Sequence, residues 1–69
     1  MNKLEKINQC EDIVEAAANL LLLAHTDAQK AALLACRTSA EMIIEGDIDE
    51  KEIVKLRRRI NVMANELMK

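Results

Sequence analysis

ANLLLLAHTDAQKAALLA, residues 18–35, carries two apolar helical runs with a helix-start signal between them. Within His25-Thr26-Asp27-Ala28-Gln29 the Thr26 hydroxyl is positioned to accept the Gln29 amide, and the Gln29 side chain to reach back, a capping box. Asp27 falls in the first turn of the following helix, beside the positive end of its dipole, and His25 closes the preceding helix at its negative end. The spacing predicts a helix ending at His25 and another beginning at Asp27. A break this short makes them antiparallel neighbours; because it contains neither glycine nor proline, the alternative is one bent helix.

Working outward, the first helix spans residues 3–25. Leu4 and Ile7 extend its apolar spacing to Lys3, whereas Asn8, with Glu11 three residues on, offers a second start at Gln9. Its core stripe is Ile13, Ala17, Leu20, Leu21 and Ala24, widened by Val14 and Ala18. The second helix covers residues 27–45, with Ala28, Ala31, Leu34, Ala35, Thr38, Met42 and Glu45 along the face read as inward. Gly46 ends it as a left-handed residue after the last turn. Asp47 or Asp49 caps the third helix, residues 50–68, whose Ile53, Leu56, Ile60, Met63 and Leu67 alternate at spacings of three and four. The chain is thus read as a single all-α domain: an antiparallel helical hairpin plus a third amphipathic helix.

A chain of 69 residues has much surface for its volume, and without Phe, Tyr or Trp its core consists of Leu, Ile, Val, Met and Ala. More apolar surface is available than one hairpin hides. Leu20-Leu21-Leu22-Leu23 turns leucines around the whole helix at about 100° per residue. Leu33-Leu34 and Met42-Ile43-Ile44 do the same in the second helix. Two arrangements bury these faces. In one, the third helix covers the hairpin and a leftover patch pairs with a two-fold-related copy. In the other, the first two helices form a nearly continuous dimerisation element and the third crosses onto the partner. The sequence therefore predicts a helical-bundle homodimer or a complex with another helical protein. Leu22, Leu23, Leu33, Ile43 and Ile44 are the expected contacts, with Leu56 and Ile60 in the core.

Charge is uneven. Residues 1–49 carry four basic and nine acidic side chains, a net of −5, while residues 50–69 carry six basic and three acidic, a net of +3. Lys55, Arg57, Arg58 and Arg59 centre the positive end and are the candidate nucleic-acid contacts of the alternative function, a dimeric nucleic-acid-binding regulator. Against it, the arginines spread over roughly 200° of the helix and no aromatic residue offers a base a stacking platform. A helix-turn-helix reading across Gly46 meets the same difficulty, because the third helix commits one side to an apolar seam.

Chemistry finds little material. His25 is the only histidine and Ser39 the only serine; Cys10 and Cys36 lack CxxC partners, and no glycine-rich phosphate loop exists. Glu11 with Glu15, and Glu41 with Glu45, are carboxylate pairs without the histidine a di-iron helix supplies. No catalysis, metal or cofactor is expected. The two thiols sit at mismatched depths, roughly 9 Å apart along a hairpin turning at Thr26, so they are expected to be reduced, which suits the cytoplasm. The start, MNKLEKINQCED, lacks the apolar run of a signal peptide, and Ala16–Ala24 is too short to span a bilayer. The functional expectation is a small assembly or regulatory module that binds protein.

Overall fold

In the computed structural model, which describes residues 2–46 and 49–68, three helices pack side by side: α1 (Lys3–Leu21), α2 (Asp27–Glu45) and α3 (Glu50–Leu67). The helical bundle expected from the sequence is present, 35 × 18 × 16 Å in extent. Each helix starts on its own side-chain cap. Asn2 Oδ1 accepts the Glu5 amide at 2.8 Å, so α1 takes the earlier of its two possible starts and Asn8 lies inside it. Thr26 and Gln29 form the reciprocal capping box. Asp49 caps α3 by accepting the Lys51 amide at 3.1 Å; the other candidate, Asp47, lies outside the described residues.

Two helix ends depart from the sequence reading. α1 stops at Leu21 rather than His25, because the amides of Leu22, Leu23 and Ala24 bond three residues back, to Asn19, Leu20 and Leu21, and tighten the chain out of the α-helix. His25 therefore does not close α1; its amide donates to Gln29 Oε1 at 2.8 Å and belongs to the α2 cap. Gly46 is not left-handed. Its φ of −122° and ψ of 179° are extended, so glycine is not required there for conformational reasons.

α1 buries Cys10, Ile13, Ala17 and Leu20; α2 buries Leu33, Cys36 and Ala40; α3 buries Ile53, Leu56 and Ile60. Every set steps by three and four. Ile43 and Ile44 extend the α2 stripe and Met63, Ala64 and Leu67 the α3 stripe, all half-buried. The inward face expected for α2 is thus rotated away from the core. Leu34 is 49% exposed and Met42 69%, whereas Leu33 is wholly enclosed. The cause is that α1 and α3 pack on the Leu33–Cys36–Ala40 side, and among the described residues no element covers the opposite side.

α1 and α2 make the most extensive contact and α2 with α3 the least. Ala17, Cys36 and Ala40 explain the first, since small side chains let backbones approach. The three large aliphatic side chains of α3 fill the seam they leave. α1 and α2 run antiparallel, which brings Cys10 beside Ile43 and Ile44, while α1 and α3 run parallel, with Gln9 beside Arg57 and Ile13 beside Ile60.

Candidate functional site

Because the core claims one side of every helix, the outer sides are what the protein presents. They differ in chemistry. α1 turns Glu11, Asp12 and Glu15 outward; α3 turns Lys51, Lys55 and Arg58 outward, with the exposed Val54 and Val62 between them. On α2, at 100° per residue, the five charged side chains fall within roughly 80° of the helix circumference. That confines Asp27, Lys30, Arg37, Glu41 and Glu45 to one edge. Arg37 Nε bonds Glu41 Oε1 along that edge at 3.2 Å. On the side away from the core Ala31, Leu34, Ala35, Thr38 and Met42 are exposed, with Leu34 inside the charged arc and Met42 at the border of the groove shared with α3.

The residues expected to contact a partner divide into three groups. Leu22, 85% exposed, and Leu23, 43% exposed, lie together on the tightened turn after α1. Ile43 and Ile44 are half-buried against the core. Leu33 is enclosed within the protomer and is removed from the candidate surface: it belongs to the buried cluster that all three helices share, where sequence reading turned it outward. Leu34 and Met42 take its place, residues read from sequence as core. Leu56 and Ile60 are in the core, as expected.

The basic cluster is not one surface. Arg57 Nη1 donates to Gln9 Oε1 at 3.1 Å, which ties it across α3 to α1. Lys55 Nζ lies 3.5 Å from Glu52 Oε1. Arg59 points the other way, bordering the shallow groove between α2 and α3 with Ser39, Met42, Ile43 and Leu56. Lys55, Arg58, Arg59 and Val62 still share one open depression on the outside.

Cys10 and Cys36 are free and buried. Burial pushes both thiols above their ordinary range; at Cys36 the Arg59 guanidinium partly offsets it. A raised pKa holds a thiol in its unreactive protonated form. Among the described residues no three His, Cys, Asp or Glu side chains come together in a way that holds a metal ion, and no helix is long and apolar enough to cross a membrane. No known family, no curated protein and no solved structure matches the chain.

Proposed function

We propose that this protein is a non-catalytic interaction module that assembles with a helical partner through the outer side of α2, with Leu22 and Leu23 at the adjoining turn. One observation carries the reading: the outer side of α2 exposes Leu34 and Met42 to water among alanines, with its charges gathered toward one edge. Covering apolar area is favourable by about 25 cal/mol per Å². Small residues between the large ones suit a helix, because a helical backbone approaches alanines closely. Work inside a cell, in adaptor or regulatory assemblies, is consistent with two buried reduced thiols.

Affinity capture from the native host with the wild-type chain, with Leu34→Glu and with Val62→Glu tests the surface. The α2 substitution is expected to remove the captured proteins and the α3 substitution to retain them. An identical set from all three rejects the outer side of α2 as the interface.

The second reading, nucleic-acid binding, draws on the depression that gathers Lys55, Arg58 and Arg59. Contacts of this kind meet phosphates and carry no sequence information. It requires duplex binding that weakens steeply with salt and is lost on changing Arg58 and Arg59 to glutamine. Arg57, occupied by Gln9, contributes least to such a surface.

A further inference from the structure

We infer that the groove between α2 and α3 seats an acidic amphipathic helix of the partner, its apolar side chains on Met42, Ile43 and Leu56 and its carboxylates on Lys55 and Arg59. The inference rests on the interaction reading above and adds the partner's chemistry. Three observations select it.

The first is the floor. α2 and α3 make the least extensive contact of the three helix pairs, and a shallow groove stays open between Met42 and Ile43 on one side and Lys55, Leu56 and Arg59 on the other. Met42 is exposed at its border. From Glu52 to Arg59 the groove follows α3 for about 10 Å, two helical turns, which accommodates an apolar pair spaced three or four residues apart on a docked helix. A phosphate backbone has no use for such a floor, and the chain has no aromatic side chain on which a base could stack.

The second is charge. Lys55 and Arg59 face a wall of α2 that brings no carboxylate to the groove. The acids of α2 gather on its other edge, where Glu41 is bonded to Arg37. Glu52 lines the groove 3.5 Å from Lys55, but both side chains are more than half exposed, and so solvated a pair yields readily to a better acceptor. Among the described residues Arg59 has no ion-pair partner.

The third is the contrast with the groove on the other flank of α3. There Arg57 donates to Gln9 and shares its recess with Asp12, so α1 supplies that cation with both an acceptor and a negative charge. On the α2 flank the opposite wall carries Ser39 and Met42 instead. The carboxylate that completes this side therefore comes from the partner.

Fluorescence anisotropy of the full chain with a labelled synthetic peptide of about four helical turns, leucine at every third or fourth position and glutamate with alanine elsewhere, tests the groove. Binding is expected, and is expected to weaken at least tenfold when lysine replaces glutamate or alanine replaces leucine in the peptide. Arg59→Gln and Met42→Ser should each weaken it severalfold and Arg57→Gln leave it unchanged, with helicity by circular dichroism the same in all three. Should a groove variant unfold, Ser39→Lys decides: a further cation on the bare wall tightens the acidic peptide severalfold, a gain that unfolding does not produce. No binding of the acidic peptide, equal binding of its lysine version, or indifference to the changes at Arg59, Met42 and Ser39 overturns the inference. Salt-sensitive binding of a short DNA duplex in place of the peptide overturns it as well. If the peptide fails while Leu34→Glu still removes captured host proteins, only the acidic helix is rejected. If the captured set is also unchanged, the interaction face falls with it.

Discussion

α2 and α3 are buried to the same pattern twenty residues apart: Leu33 and Ile53, Cys36 and Leu56, Ala40 and Ile60 enclosed, then Ile43 and Met63, Ile44 and Ala64 half-covered. Their outer sides differ in where the charge lies. α3 shows Lys51, Lys55 and Arg58 to water, as a solvated helix does, whereas α2 shows alanines, Thr38, Leu34 and Met42. The shared spacing tells where each helix meets the core. What separates the two helices lies on the remainder of the circumference, where an apolar stripe contributes nothing to a lone protomer.

The strongest way to break the comparison is to cut side chains at adjacent positions. Leu33→Ala and its counterpart Ile53→Ala are each expected to lower stability by about 2–5 kcal/mol, the usual loss for a large aliphatic residue cut to alanine in a core. Leu34→Ala, one residue along, should stay within about 0.5 kcal/mol in dilute solution. Urea denaturation measures all three, and equal losses at 33 and 34 would invalidate the two-sided description of α2. Next is Thr26→Ala, which removes one half of the reciprocal cap and is expected to cost about 1 kcal/mol. Asp49→Ala removes the simpler cap of α3 and should cost less, so reversal of that order in thermal melts would contradict the difference between the two helix starts.

Gly46→Ala sharpens the comparison from the opposite sign. With an extended backbone, and only the Met42 carbonyl oxygen 3.5 Å from an added methyl, alanine should fit and raise stability by about 0.4–1 kcal/mol through the unfolded chain. A loss would restore the left-handed ending that sequence suggested. Smallest of all, Arg37→Ala removes a half-exposed pair on the charged edge of α2, and a change below about 0.5 kcal/mol is expected in the same melts.

The number of helices, their approximate spans and the core stripes of α1 and α3 were legible in the sequence, since Ile53, Leu56, Ile60, Met63 and Leu67 leave one rotation that keeps charge in water. α2 was not legible in the same way. Its five charges occupy one narrow edge, and several rotations of the remaining arc are apolar enough to face inward. Leu34 with Met42, or Leu33 with Ile43, then satisfy periodicity equally. The deciding signal was the repeat of the α3 spacing twenty residues earlier, which favours Leu33, Cys36 and Ala40. The early end of α1 was hidden for another reason: Leu22 to Ala24 are all compatible with helix, and the bonds to residues three back follow from the approach of the chain to Thr26. The candidate site inherits this ambiguity, since placing Leu33 outward and Leu34 inward is one rotation of about 100°.

An odd number of helices has an electrical consequence. α1 and α3 point the same way and α2 opposes them, so the polarisation of one peptide rod stays uncancelled along the long direction of the molecule. No helix carries a basic side chain in its last turn to offset it. Half an elementary charge at each end of a 19-residue helix amounts to a moment on the order of 65 debye. Dielectric relaxation of the dilute protein would register this moment along its long axis.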